Sequence, residues 1–295
     1  MVQAKWKNVG IFIPTLNAGS NVGRIFSAVK NSLVPTENIY VLDSESTDDT
    51  LNELEKLGIS HNTVLRKDFS HGAVRANAVN FFGDEIDYII MITQDVDFSA
   101  ESINTLVMGI MDKKNVGVSY GRQISTNKET VEYYDRQFNY PLHSLLKTRE
   151  MISQLGPNTY FSSDAFSVYR ISALRDVGNF PVDVLFAEDV FVAAKLILKG
   201  WAVYYNANSV VTHNNISGYV SLFNRYRDIA SFYSNQKWIK DAFGANYSKG
   251  KKLVKFELRQ ALKQRSVKLF IDIVITSAVK LIAYTLPERK SHSKS

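Results

Sequence analysis

Thr93-Gln94-Asp95-Val96-Asp97 sets two carboxylates one residue apart at the end of an apolar run, Tyr88-Ile89-Ile90-Met91-Ile92. Such a run reads as a fully buried strand, so the acids stand where the strand emerges. In open α/β sheets, ligands collect in the crevice beyond the carboxyl ends of the strands. Two carboxylates there make a hard-oxygen site for magnesium or manganese, either of which neutralises a diphosphate. Alone, the pair reads as a solvated turn. Its company changes that reading.

Three further features follow apolar runs, and each alone has a plain explanation. Pro14-Thr15-Leu16-Asn17 is a turn, and Asp43-Ser44-Glu45-Ser46-Thr47-Asp48-Asp49-Thr50 is an N-cap cluster for the next helix. His71-Gly72 opens a helix that carries Arg75 and Asn77 on a face that could simply be exposed. Together on one rim they supply what a nucleotide-diphosphate pocket needs: a carboxylate for the base edge, hydroxyls and backbone amides for ribose and phosphate, an arginine and a metal. Downstream, Leu185-Phe186-Ala187-Glu188-Asp189-Val190-Phe191 sets two acids in an apolar surround at a helix start. Exposed acids there would only favour the helix dipole, but buried ones are costly without a partner or a task. His213 ends a later apolar stretch, Val210-Val211-Thr212. A lone histidine at a strand end is usually structural; beside two carboxylates it makes chemical sense as a third metal ligand.

The elements that must position these residues alternate. Strand patterns at Val9–Pro14, Ile39–Leu42, Thr63–Arg66, Tyr88–Thr93 and Val116–Tyr120 are separated by helical patterns at Asn21–Asn31, Asp49–Leu57, Ala73–Phe82 and Ser99–Met111. This predicts an α/β fold, a mostly parallel sheet with helices on both faces. After Gly121 the rhythm changes: Glu132–Leu155 reads as helices with a loop near Pro141, Tyr160–Tyr169 as a strand, Ala187–Leu198 as a helix ended by Gly200, and Trp201–Thr212 as a strand. From Gly218 the chain reads as helices to about Leu286, broken by Gly, Asn and Ser at 244–250.

With 295 residues and 45% hydrophobic content, the chain suits one large domain or one domain plus an appendage. It has no cysteine, which excludes disulfides, zinc-thiolate sites and a thiol nucleophile and fits a reducing cytosol. The opening MVQAKWKNVGIFIPT reads as a strand, not a signal peptide. The net charge is +6, but residues 249–268 hold eight Lys or Arg against one acid, leaving the rest near −1. The charge is a local basic segment, and a nucleic-acid partner is not expected.

These motifs resemble those of inverting family 2 glycosyltransferases with the GT-A (Rossmann-like) fold, in their rhamnosyltransferase branch, over roughly residues 8–235. Ile13-Pro14-Thr15-Leu16-Asn17 and the Asp43–Thr50 block match the nucleotide-binding signature. The resemblance implies donor contacts from Thr15, Asn17, Asp43, Ser44, His71, Gly72, Arg75 and Asp95, with Thr15 and Asp43 on base and ribose. It also implies metal ligation (Mn2+ or Mg2+) by Asp95, Asp97 and His213. In Glu188-Asp189 it makes Asp189 the catalytic base and leaves Glu188 in support. Phe69-Ser70-His71-Gly72-Ala73-Val74-Arg75 is similar to the Phe-x-His-Gly-Gly-x-Arg pattern of rhamnosyltransferases. It departs at Ala73, and at Ala76, where asparagine commonly follows, with Asn77 one residue on.

The chemistry coheres on its own terms. A nucleotide sugar leaves with a doubly negative diphosphate that a metal stabilises. A base frees an acceptor hydroxyl for one displacement, which inverts the anomeric configuration, and no second catalytic acid is needed. The reaction expected from the resemblance transfers a sugar, L-rhamnose from dTDP-rhamnose, to a hydroxyl of a glycan or lipid-linked glycan acceptor in bacterial surface polysaccharide synthesis. The alternatives are a UDP-hexose donor on the same fold and a non-catalytic nucleotide-sugar binding module. The expected domains are a catalytic domain over 1–215, with a nucleotide-binding half at about 8–121 and an acceptor half at about 122–215, and a C-terminal helical extension over 216–295. Within that extension Lys249–Lys268 is basic and Leu269–Leu286 mainly apolar, with Asp272, Thr276, Lys280 and Tyr284 drawing a polar stripe. Such a segment reads as an interfacial helix beside a polybasic patch, giving peripheral membrane contact through 249–286 on the cytoplasmic, inner face of the cell membrane. The alternative is a helix whose apolar face packs on the catalytic domain or on another subunit. The oligomeric state, a homo-oligomer included, is left open.

Overall fold

The computed structural model describes residues 6–184, 186–214, 218–244 and 247–286. Short apolar runs form the strands β1 (Val9–Thr15), β2 (Ile39–Asp43), β3 (His61–Thr63), β4 (Tyr88–Ile92), β5 (Val116–Ile124), β6 (Leu145–Lys147), β7 (Phe166–Arg170) and β8 (Ala202–Thr212). The helices are α1 (Gly19–Lys30), α2 (Thr50–Lys56), α3 (His71–Phe82), α4 (Ala100–Met111), α5 (Val131–Asn139), α6 (Ile152–Leu155), α7 (Ile171–Asp176), α8 (Glu188–Lys199), α9 (Tyr219–Asn235), α10 (Lys237–Phe243), α11 (Tyr247–Gln264) and α12 (Val267–Thr285). The described strands form one eight-stranded sheet in the order β3-β2-β1-β4-β7-β5-β8-β6.

The β3-β2-β1-β4 half is parallel, and β5 pairs parallel with β8, but β7 runs against both β4 and β5, and β6 against β8. The sheet is therefore mixed, with four of its seven described pairings parallel. The antiparallel insertion has a consequence for the rim. A reversed strand starts where its parallel neighbours end, so the residues just before Phe166 arrive beside the end of β4, where the Thr93 amide donates to the Ala165 carbonyl at 3.1 Å. Between β5 and β8 the register slips from Gly121↔Asn206 to Arg122↔Val210. A bulge of this kind re-aims the residues beyond it, here Gln123 and His213.

Each face of the sheet carries a core. α1, α2 and α4 bury Val22, Phe26, Leu54 and Leu106 against one face; α3, α7 and α8 bury Val79, Leu174 and Leu196 against the other. Fully burying such a side chain contributes about 1.5–3 kcal/mol. Two expectations shift. The strand expected over Tyr160–Tyr169 begins only at Phe166; before it the chain is a loop in which Ser162 and Asp164 are buried and Asp164 accepts from Ser167 and Tyr169. In the stretch read as helices, Leu145–Lys147 instead pairs with Val203–Tyr205 at the sheet edge.

The C-terminal helices pack on α5, where Val131 and Tyr134 meet Ala261, Leu269 and Ile273. Ala245 and Asn246, within the expected break, lie outside the described residues. Asp272, Thr276 and Lys280 of the α12 polar stripe turn inward, while Tyr284 stays exposed. Lys280 Nζ reaches Asp135 Oδ2 at 3.0 Å, and Tyr219 donates to Asp272 Oδ1 at 3.3 Å. Thr276 bonds to its own helix backbone at 2.7 Å, and Val267, Ile271, Val274, Ile275, Leu281 and Ile282 face outward. Apolar residues therefore lie on both faces of the helix: Leu269, Ile273 and Ala283 are buried beside the polar stripe, and a second apolar arc is exposed. Among the described residues no helix is long and apolar enough to cross a membrane.

Candidate active site

The loops after β1 and β2 are laced together. Thr15 Oγ1 donates to Asp43 Oδ1 at 2.9 Å, and the Ser46 amide donates to Asp43 Oδ2 at 2.8 Å. The Asn17 amide donates to Ser46 Oγ at 2.8 Å, while Asn17 Oδ1 accepts from the Thr47 amide at 2.8 Å. Asn17 holds a left-handed conformation, φ 52°, which asparagine tolerates better than most residues. Thr15, Asp43 and Ser44 are buried. Their side chains build the floor of the loop pair. Gln94 closes the floor from β4: its amide donates to and accepts from the Leu16 backbone, both at 2.8 Å.

At the end of β4 the structure brings Asp95 and His213 together, with Oδ2 and Nε2 3.0 Å apart. Burial alone would raise the Asp95 pKa, but the His213 hydrogen bond and charge outweigh it and hold the carboxyl well below the usual range. Asp97 does not join them. Its backbone bridges to Thr212, and its side chain, 62% exposed, pairs with Arg24 Nη1 at 2.8 Å. The three-ligand set expected from the spacing is therefore a carboxylate–imidazole pair here, and among the described residues no cluster of three such ligands forms. Gln123 supports the pair from behind. Its Nε2 donates to Ser163 Oγ at 2.8 Å, which turns Oε1 toward His213 Nδ1 at 3.0 Å. Arg136 Nη2 also lies 3.2 Å from His213 Nδ1, so Gln123 and Arg136 hold the ring from behind while Nε2 faces Asp95.

Ser163 leads directly to the second centre. The next amide, Asp164 N, donates to Asp189 Oδ2 at 3.3 Å, and the Val190 amide donates to Asp189 Oδ1 at 2.7 Å. Ala187, just before α8, is left-handed (φ 60°), a strained conformation for a residue with a Cβ. Its neighbour Glu188 is anchored by Arg75 Nη1, while Arg75 Nε lies 3.1 Å from Asp164 Oδ2. Asp164 Oδ1 also accepts from Ser167 Oγ and Tyr169 OH, both at 2.7 Å.

Three carboxylates and one guanidinium thus share a desolvated space. Burial first, then the Glu188 and Asp164 charges, push the Asp189 carboxyl up to about 7, with Arg75 opposing. A carboxyl titrating there can take a proton from a hydroxyl near neutral pH.

The motif expected to touch a donor has a different place in the fold. Arg75, 4% exposed, has its guanidinium occupied by Glu188 and Asp164. Gly72 lies under the chain that leads into α8: a Cβ there would stand 1.9 Å from the Pro181 carbonyl oxygen. His71 remains on the exposed side; desolvation first, then the Arg75 charge, lower its pKa. The motif therefore clamps α3 to the segment carrying Asp189.

Gln94, Gln123, Ser163 and Asp164 were not singled out from the sequence. The signals that could have found them are polar residues interrupting apolar runs: Ser162-Ser163-Asp164 between Phe161 and Phe166, and Arg122-Gln123 at the end of β5.

Comparison with known proteins places this geometry. A family model described as glycosyl transferase family 2 matches residues 10–178, from β1 through the Arg75–Asp164 pair. The O-antigen chain rhamnosyltransferase RfbN of Salmonella typhimurium is 33% identical over 284 residues, covering 94% of this chain and 88% of that protein. The O-antigen chain rhamnosyltransferase WbaN of Salmonella anatum is 30% identical over 279 residues, with the same shares. A mannosyltransferase from Pyrobaculum calidifontis, solved with GDP-Man and Mn2+, superposes with a TM-score of 0.59 at 14% identity, covering 92% of this chain and 86% of its own. The family match and the similarity across nearly the whole chain agree, and this chain belongs to glycosyl transferase family 2 as a glycosyltransferase.

Proposed function

We propose that the protein transfers L-rhamnose from dTDP-rhamnose, with inversion, to a hydroxyl of a glycan or lipid-linked glycan acceptor in bacterial surface polysaccharide synthesis. The observation that carries the reading is a continuous hydrogen-bonded path along one rim, Asp95–His213–Gln123–Ser163, continuing through the Asp164 amide to Asp189. It sets Asp95 and His213 on the same rim as Asp189, which supports a diphosphate end and a base end within one site. The O-antigen rhamnosyltransferase names of the two relatives support the donor and the acceptor class.

In this reading Asp189 takes the proton from the acceptor hydroxyl, whose oxygen attacks the anomeric carbon as the bond to the diphosphate breaks. Glu188, through Arg75, holds the turn that aims Asp189. Asp95 and His213 suit a divalent cation, Mn2+ or Mg2+, that also takes diphosphate oxygens, since magnesium-type ions commonly use one or two protein ligands plus phosphate. Bound there, the ion would neutralise the leaving diphosphate. His71 and the main chain of the Leu16–Asn17 and Glu45–Thr47 loops are the groups nearest to solvent for donor contact. The catalytic domain ends near residue 215, and the helical extension rests peripherally on the inner face of the cell membrane.

The test is transfer by the purified protein from dTDP-rhamnose and from UDP-hexoses, with Mn2+ or Mg2+, and with the product anomer read by NMR. Rhamnose transfer with inversion is expected. Asp189→Asn should lower turnover by ~10²–10⁴-fold while leaving donor binding intact. Productive use of a UDP-hexose without rhamnose transfer would reassign the donor, and unchanged turnover in Asp189→Asn would remove the base.

A further inference from the structure

α12 is apolar on both faces, with its polar stripe turned inward and a wide apolar arc left outside. At 100° per residue, Phe270, Leu281, Val274, Val267, Ala278, Ile271, Ile282 and Ile275 fall on one arc. That arc is the exposed one, with Val267 73%, Val274 50% and Leu281 65% accessible. The opposite arc, which faces α5 and α9, holds the buried Leu269, Ile273 and Ala283 together with Asp272, Thr276 and Lys280, of which Asp272 and Lys280 are fastened to Tyr219 and Asp135 as described. A helix whose only outward neighbour is water places its polar stripe outside. Contiguous exposed apolar surface of this extent marks an interaction site.

The helix joined to it says which partner fits. α11 shows solvent a face of Lys251, Lys252, Lys255, Arg259 and Lys263, and Arg265 and Lys268 in and beyond the turn are also exposed. The one acid in residues 249–268, Glu257, is buried. A twofold contact with a second copy would bring two such cationic faces together, which like-charge repulsion opposes. An anionic bilayer satisfies both surfaces at once, with headgroups on the cations and acyl chains on the apolar arc.

We infer that α12 lies in the plane of an anionic membrane surface with its Val267–Val274–Leu281 arc inserted. Its inward stripe, through Lys280 and Asp135, fastens the catalytic domain to that anchor. This deepens the peripheral contact proposed above and rests on it. The test keeps the two apart.

The chain has no cysteine, so Val274→Cys takes a single environment-sensitive fluorophore. On vesicles containing phosphatidylglycerol the label should shift to the blue and be quenched by lipids brominated in the acyl chain. A label at Met108→Cys, exposed on α4, should not respond. In sedimentation with the same vesicles, Ile271→Ser/Val274→Ser should partition at least tenfold more weakly, since each lost buried methylene is worth about 0.8 kcal/mol. Lys255→Ser/Arg259→Ser should weaken binding severalfold and make it less salt-dependent. Unchanged circular dichroism and unchanged transfer to a lipid-free acceptor would show that these variants fold.

Vesicle binding that depends on the lysines, with no blue shift at Val274 and no loss in the serine variant, would overturn insertion and leave peripheral contact standing. No binding by the intact protein, or a dimer in sedimentation that the serine variant dissociates, would overturn both.

Discussion

Asp189 titrates near neutrality because it is buried among neighbours that carry more negative than positive charge. Burial is the largest cause of the rise to about 7; Glu188 and Asp164 add to it, and Arg75 opposes it. A base acts in its unprotonated form, so turnover should rise through an apparent pKa near 7 and fall toward acid. The cluster titrates as a unit, and single substitutions should move that limb in opposite senses. Glu188→Gln removes a charge that raises the value, so the limb should move to lower pH. Arg75→Gln removes the opposing charge, so it should move to higher pH. Because Arg75→Gln leaves buried carboxylates unpaired, it should also cost about 3–5 kcal/mol of stability. Profiles of kcat/KM against pH, with chemical denaturation alongside, check all three. Limbs that moved together would mean the cluster acts by shape and not by charge.

At the scale of elements, the close approach of α3 to the segment Pro181–Val184 decides whether α8 presents its first turn correctly. Gly72 permits that approach, because a Cβ would collide with a carbonyl oxygen of the main chain, which cannot rotate away as a side chain would. Gly72→Ala should therefore displace the segment, costing at least about 1–3 kcal/mol. Turnover should fall more than donor affinity, since the loops after β1 and β2, proposed to hold the donor, do not contact this segment through any hydrogen bond among the described residues. Thermal melting and isothermal titration with the donor separate the two effects. An unchanged melting temperature and unchanged turnover would show that the segment is free to yield.

Across the whole molecule, the catalytic domain and the C-terminal helices meet at a buried charge cluster. Asp135 on α5 meets Lys280 on α12, and Glu257 on α11 sits in the same space. Burial, then the Asp135 charge, push the Glu257 carboxyl up to about 8. For an acid raised in this way, the folded state holds a proton that the unfolded state releases at lower pH. The stability it contributes is complete in acid and is lost as pH rises from its unfolded range through about 8. Glu257→Gln keeps the hydrogen-bonding shape without the charge. It should raise the melting temperature by a few degrees at pH 9 and change it little at pH 4. Equal effects at both pH values would exclude this electrostatic origin.

The sequence by itself determined the α/β class and the family. Alternation of period-2 and period-3.6 patterns is a local property of the chain, and the motifs at strand ends carry their own spacing. Asp95, Asp97, Glu188, Asp189 and His213 could be named for the same reason: acids and imidazoles beside apolar runs stand out one residue at a time. What those side chains face was not legible, because a partner's identity depends on chain segments far away in sequence. The fold set Arg75 against Glu188 and Asp164, 113 residues along for the first of them, and turned Asp97 to Arg24 instead of His213. It reversed β7 so that Asp164 begins at the rim, and it buried Thr15 and Asp43 against each other. The polar stripe of α12 was visible as a period of four, but its direction was not. Periodicity specifies that a helix has two faces, and only the packed neighbours, here Asp135 and Tyr219, decide which one turns inward.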